Sequence, residues 1–265
     1  MASPQLLLPG LVSITFRQLT PREVVELVVK AGTPAVEWGG DVHVPHGDLV
    51  RAREVKVLCD TEGVDIPAYG SYFRLGQSEK LGLPFSQVLD SAELLGAPVI
   101  RVWAGVKGSA DTTLDERAEI VEDAMRIADM AQARGIKVSY EYHGGTLTDT
   151  AESAAELLAQ TGHPAIQTLW QPAVGLPVEQ AEHELAAVLP RLSHVHVFHW
   201  FPRAERQPLA DGRDRWIRYL TMASRHKEIV PCLIEFVQNA EPKQFLADAE
   251  VLKEMIAEVA KGLLE

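Results

Sequence analysis

Cysteine is scarce in this 265-residue chain, with only Cys59 and Cys232, far apart in sequence. Two distant thiols build neither a disulfide framework nor a Cys-x-x-Cys site. Positive charge is also in deficit, 25 Lys and Arg against 37 Asp and Glu, for a net charge of −12. That argues against a nucleic-acid partner, because phosphate recognition wants a basic face. No apolar run approaches the roughly 20 residues of a membrane span. Met1 to Gly10 carries three consecutive leucines but no basic segment before them, so no signal peptide is expected and a cytoplasmic protein is. With 19 Gly and 16 Pro there is no compositional bias. Disorder and collagen are excluded, and 46% apolar with 23% charged residues is ordinary for a globular protein.

What the sequence does have is a repeated unit. Five times a helical pattern stops at Gly (Gly32, Gly63, Gly96, Gly135, Gly162), and a short apolar run follows. Gly suits the left-handed position that ends a helix, and a short apolar run after it reads as a buried parallel strand. The runs are Ala35–Trp38, Ile66–Tyr69, Val99–Trp103, Ile136–Glu141 and Ile166–Trp170. Leu11–Phe16, Val195–Phe198 and Cys232–Phe236 bring the count to eight. Thr20-Pro21-Arg22-Glu23 combines an N-cap, a Pro at the first helical position and a capping box. Leu114 to Ala133, Thr150 to Gln160 and Pro242 to Leu264 read as amphipathic helices. No linker divides the chain, so residues 1–265 are expected to form a single (β/α)8 TIM barrel. An open doubly wound sheet is the alternative, but it usually has a Gly-rich phosphate turn after its first strand, and this chain has none.

In such a barrel the active site lies at the C-terminal ends of the strands. Four consecutive strands end in groups able to ligate a metal: Glu141, Gln171, His196 and Glu235. Facing carboxylates repel one another, and a divalent cation resolves this. The alternative is a buried network of Glu with His or Arg. His143 and His199 follow strands five and seven, and Glu37 ends strand two. Arg101 and Trp103 end strand four, and Arg17 follows strand one. These are candidates for substrate binding, and salt bridges or packing are their plainer roles. Pro202 to Arg215 reads as a long loop rich in arginine, with Arg213 a candidate for an anionic group or a subunit contact. His43, His46 and His163 fall in expected loops and are expected to be solvated.

These segments resemble the xylose-isomerase-like barrel superfamily over nearly the whole chain. The carrying motifs are Glu141-Tyr142-His143-Gly144-Gly145, His194-Val195-His196-Val197, Glu235, and Val36-Glu37-Trp38-Gly39-Gly40. The resemblance implies a metal site of Glu141, His196 and Glu235, with Gln171 where the family's sixth strand normally supplies Asp. Two carboxylates and a divalent ion make a formally neutral site. Oxygen ligands with one imidazole suit Mn²⁺ best, with Mg²⁺, Co²⁺ or Zn²⁺ as alternatives. A barrel that has lost its metal is the other reading of Gln171.

The resemblance implies a metal-dependent isomerase or epimerase of a sugar, ketose or small hydroxy-ketone, working through an enediolate with Glu141 and Glu235 as acid and base. A lyase or dehydratase on a keto-sugar shares that first step. An endonuclease IV-like nuclease disagrees with the charge of −12, and a non-catalytic sugar-binding barrel is the remaining class. The expected partner is a small carbohydrate-like molecule, with no nucleic acid and no membrane. Self-association into a homo-oligomer is common for such barrels.

Overall fold

The computed structural model describes residues 6–263. Eight parallel strands pair in sequence order and close into a barrel. They are β1 (Leu7–Val12), β2 (Val36–Gly39), β3 (Tyr69–Arg74), β4 (Val99–Trp103), β5 (Lys137–Tyr140), β6 (Ile166–Trp170), β7 (Leu192–Val197) and β8 (Val230–Ile234). The surrounding helices are α1 (Pro21–Ala31), α2 (Leu49–Glu62), α3 (Phe85–Leu95), α4 (Leu114–Gln132), α5 (Ala151–Thr161), α6 (Val178–Val188), α7 (Arg213–Ala223) and α8 (Pro242–Gly262). The fold is the expected (β/α)8 TIM barrel. Among the described residues no helix is long and apolar enough to cross a membrane. Met1 to Gln5, half of the Met1 to Gly10 segment where no signal peptide is expected, and Leu264, the expected end of the last helix, lie outside the described residues.

Local signals set the helix ends. Thr20 caps α1 through a full capping box with Glu23, and Thr113 caps α4 in the same way with Glu116. Gly32, Gly63, Gly96 and Gly162 end α1, α2, α3 and α5 with positive φ. The strands are less faithfully placed by the sequence. The run expected as strand one, Leu11–Phe16, is strand only to Val12, and Ser13–Phe16 is a turn of 3-10 helix. The strand instead begins at Leu7, passing through Pro9 and Gly10. Pro9 points its missing N–H to the same side as Leu11, where pairing with β2 starts only at Leu11, so no ladder bond is lost. The third strand likewise runs Tyr69–Arg74, after the apolar run Ile66–Tyr69 rather than within it.

Gly10 is required by close approach. A Cβ there would lie 2.4 Å from the Ala35 carbonyl oxygen and 2.6 Å from Leu233 Cδ2. Gly10→Ala should therefore force β1 away from β2 and β8, at a cost of about 1–3 kcal/mol. Thermal unfolding of the variant, with circular dichroism at low temperature to verify the fold, measures it.

On α6, burial pushes the Glu184 carboxyl up to about 7, with Glu152 nearby acting in the same direction. A raised folded pKa means that the native state holds a proton the unfolded chain has released. Stability should fall as pH rises between about 4.5 and 7 and level off above. Glu184→Gln should remove that part of the slope, which chemical denaturation at pH 5, 6, 7 and 8 will read.

Candidate metal centre and active-site cavity

Two of the strands that assemble the site, β5 and β8, continue one residue past their formal ends. The Glu141 N–H donates to Val102 O (2.9 Å) and the Glu235 N–H to Val197 O (3.0 Å), so both carboxylates stand on backbone that is still in the ladder. Gln171 directly follows β6, and His196 lies within β7 opposite Leu233 of β8. After Glu235 the chain turns sharply. Phe236 has φ 56, an unfavourable conformation for a bulky residue. Its N–H donates to Thr15 Oγ1 (3.0 Å) from the 3-10 turn after β1, which holds the end of β8 in place.

Glu141, His196 and Glu235 offer ligand atoms that all lie within 4.8 Å of one another, and all three side chains are buried. His196 Nδ1 sits 3.4 Å from Glu235 Oε2 without a hydrogen bond of good geometry. Gln171 Nε2 donates to Tyr142 O (3.0 Å), and a carbonyl can only accept, so the amide orientation is set. Its Oε1 is buried and has no partner. Gln171 Oε1, unpartnered and in the same cavity lining as Glu141 and Glu235, and the unpartnered His196 Nδ1 next to Glu235 match the oxygen-and-imidazole donor set of a divalent cation, so the residues present fit the ion the resemblance implies.

Behind this cluster lies a second layer of charge. The Glu37 carboxylate accepts from Arg101 Nε (2.8 Å) and from His196 Nε2 (2.9 Å), and His194 Nε2 stands 3.0 Å away. Arg101 also donates through Nη1 to Glu141 Oε2. Glu37 and Arg101 are at most 1% exposed. Burial opposes ionisation of Glu37, but His196 and Arg101 outweigh it and hold the carboxyl well below its ordinary range. The same contest raises His196 to about 10: desolvation opposes its charge, while Glu235 and Glu37 stabilise it. Without a cation, the imidazolium carries the positive charge that the carboxylates demand.

Above the cluster opens a cavity of about 470 Å³. Arg17, Tyr72, Arg101, Trp103, Glu141, Tyr142, His143, Gln171, Trp200, Glu235 and Phe236 are among the residues lining it. His143 packs on Trp103 with ring centroids 4.5 Å apart. Its Nδ1 lies 2.6 Å from the Gly144 carbonyl, so Nδ1 carries the proton and Nε2 of the neutral ring is free to accept one. A larger groove of about 890 Å³ runs over the outer side of α2 and holds none of these groups.

Several candidate residues sit elsewhere than expected. Glu37 is beneath the cavity rather than in its lining, and it contacts the candidate ligand His196. Arg213 is the first residue of α7, and it pairs with Glu254 and Glu258 of α8, away from the cavity. His199 packs its ring against Gly212 and stacks near Phe201, outside the cavity lining. Arg101 and Trp103 do line it. Of the four Trp residues near strand ends, Trp103 and Trp200 reach the cavity, whereas Trp38 and Trp170 are core. His43 and His163 are buried, contrary to the expected solvation. His43 Nε2 lies 3.1 Å from Leu19 O, and His163 bonds to Asp129 (3.3 Å). His194 was legible only as a residue sharing a face with His196. Its contact with Glu37 depends on β2 and β7 facing each other across the barrel.

The profile of a family described as xylose isomerase-like TIM barrel matches residues 25–255. A 3-dehydroshikimate dehydratase of Bacillus anthracis is 27% identical over 169 residues, which is 60% of this chain and 59% of that protein's length. The match thus spans under two thirds of that relative. The crystal structure of the probable 3-DHS dehydratase AsbF from Bacillus anthracis is similar with a TM-score of 0.77 and 22% identity. That similarity covers 92% of this chain and 98% of that one. A xylose isomerase-like TIM barrel protein of Mycobacterium smegmatis, solved in complex with magnesium, is similar with a TM-score of 0.71 and 16% identity, over 98% of this chain and 100% of that one. At these identities the two structures are likenesses of fold.

Protein purified without chelators should take up about one equivalent of Mn²⁺ by calorimetry, as a closed ligand set of this kind implies. Gln171→Asp should tighten that binding by about tenfold, since a carboxylate gives the ion charge that an amide does not. Uptake below ~0.2 equivalents would remove the metal centre.

Proposed function

The chain belongs to the xylose isomerase-like TIM-barrel family, and from that premise we propose that it is a divalent-metal-dependent isomerase or epimerase of a small polyhydroxylated carbonyl compound. The convergence of Glu141, His196 and Glu235 beneath an aromatic-walled cavity carries this reading. A divalent ion there, Mn²⁺ first and Mg²⁺ next, would polarise a carbonyl and offset the charge that develops as the neighbouring carbon loses its proton.

The chain's own residues divide the remaining work. Arg101 pins the Glu141 carboxylate, which suits Glu141 to holding the ion with a fixed geometry. Glu235 lines the cavity with no guanidinium bonded to it, so it is the carboxylate assigned to accept the carbon-bound proton. Trp103 and Trp200 offer flat apolar walls for the C–H face of a substrate and keep water from the reacting carbon.

Dehydration is the second reading, and His143 favours it. Dehydration takes a proton from carbon and gives one to the leaving hydroxide, and His143 Nε2, an acceptor in the cavity while Nδ1–H faces the Gly144 carbonyl, can take up the first and return it to the second. The two Bacillus anthracis proteins carry dehydratase in their names.

One assay series separates the readings. Mn²⁺-loaded protein in D₂O, given a panel of ketoses and hydroxy-ketones, should place deuterium on the carbon beside the carbonyl. With 3-dehydroshikimate, rising absorbance of a conjugated product without deuterium return marks the dehydratase instead. In either case Glu235→Gln should lower turnover by about 10²–10⁴-fold with the fold intact. Neither exchange nor absorbance across the panel would leave a binding barrel. Full activity in Glu235→Gln would remove that residue from the base role.

A further inference from the structure

Glu37 has no surface in the cavity, so it touches no substrate, yet it is bonded to side chains that serve two of the ligands. Its Oε2 accepts from His196 Nε2 at 2.9 Å, and its Oε1 accepts from Arg101 Nε at 2.8 Å. Arg101 in turn donates to Glu141. We propose that Glu37 is a positioning residue that sets the tautomer of His196 and the aim of Glu141, and so controls the affinity of the metal centre. This rests on the metal reading above.

Arg101 stays charged and donates to Glu37, which keeps that carboxylate ionised and able only to accept. His196 Nε2 must therefore bear a hydrogen. In neutral His196 the lone pair is then on Nδ1, the nitrogen that faces Glu235 and shares the cluster with Glu141. A carboxylate on the far nitrogen of a ligating imidazole also raises its basicity and locks its ring. The other atom near Glu37 Oε2 supports the same assignment. His194 Nε2 is 3.0 Å away, and His194 Nδ1 lies 2.9 Å from Ser193 Oγ, which itself pairs with Ser139 Oγ at 2.7 Å. A hydroxyl chain from β5 thus fills the outer nitrogen of His194 and leaves its inner one facing Glu37. One carboxylate on β2 couples groups from β4, β5 and β7.

An amide at this position breaks the pattern without changing its volume. If its oxygen stays on Arg101, its NH₂ faces His196 Nε2, which must accept, and the proton moves to Nδ1, where the ion should bind. If the amide turns round, Arg101 meets an NH₂ and loses its hold on Glu141.

The test uses Mn²⁺ calorimetry on the full chain together with a spectroscopic readout. Glu37→Gln should weaken Mn²⁺ binding about 10- to 100-fold, with the fold verified by circular dichroism. In ¹⁵N-labelled wild-type protein loaded with Zn²⁺, His196 should show a protonated Nε2 and a metal-shifted Nδ1. That measurement needs no variant to fold. Wild-type Mn²⁺ binding with an unchanged affinity in Glu37→Gln overturns the inference alone, as does a metal-shifted Nε2. Wild-type protein that takes up no Mn²⁺ overturns the metal reading, and this inference with it.

Discussion

The buried Glu37 carboxylate is the constraint around which the centre of this barrel is built. An ionised group with no exposure is costly unless charged and hydrogen-bonding partners surround it. Here Arg101 and His196 supply them, and each of those is drawn from a different strand. The same demand propagates outward, because Arg101 has donors to spare and uses one on Glu141. Three buried carboxylates (Glu37, Glu141 and Glu235) against one guanidinium leave two negative charges. Either a protonated His196 offsets part of that, or a divalent cation offsets all of it with His196 neutral. Gln171 fits this balance, since an Asp there would add a charge that nothing nearby matches.

Barrel closure is what makes such a network affordable. β2, β4, β5, β7 and β8 are separated by up to two hundred residues of chain, yet their ends ring one axis. Glu37, Arg101, His194 and His196 sit within their strands, and Glu141 and Glu235 one residue beyond theirs, where ladder hydrogen bonds still fix the backbone. The cavity above is walled by residues from the loops, Trp200 and Phe236 among them. Rigid strands hold the charges, and the loops shape what can approach them, the usual division of labour in this fold.

The limits of reading the sequence show in particular residues. Period-2 alternation sets His194 and His196 on one face of their strand, and the ends of the apolar runs locate Glu141 and Glu235, because those relations lie within a single strand. Glu37 read as a substrate group because a strand-end carboxylate looks the same whether it faces solvent or a partner across the barrel. Arg213 read as loop because the helix N-cap before it, Gly212, carries no capping side chain. His43 and His163 read as solvated because their partners, Leu19 and Asp129, are more than twenty residues away. The first strand was displaced because Pro9 and Gly10 are poor strand residues by local preference. They are tolerated where β2 has not yet begun and where β8 and Ala35 approach too closely for a side chain.

The sequence by itself determined the βα repeat, the helix caps, the eightfold count and the set of polar groups at successive strand ends. Those are local properties, written in periodicity and in the conformational preferences of Thr, Pro and Gly. Only the tertiary structure decided which of those polar groups bond to which, and therefore which face the cavity and which stand behind it. Charge pairing across a closed barrel depends on distances between strands remote in the chain, and no local pattern encodes them.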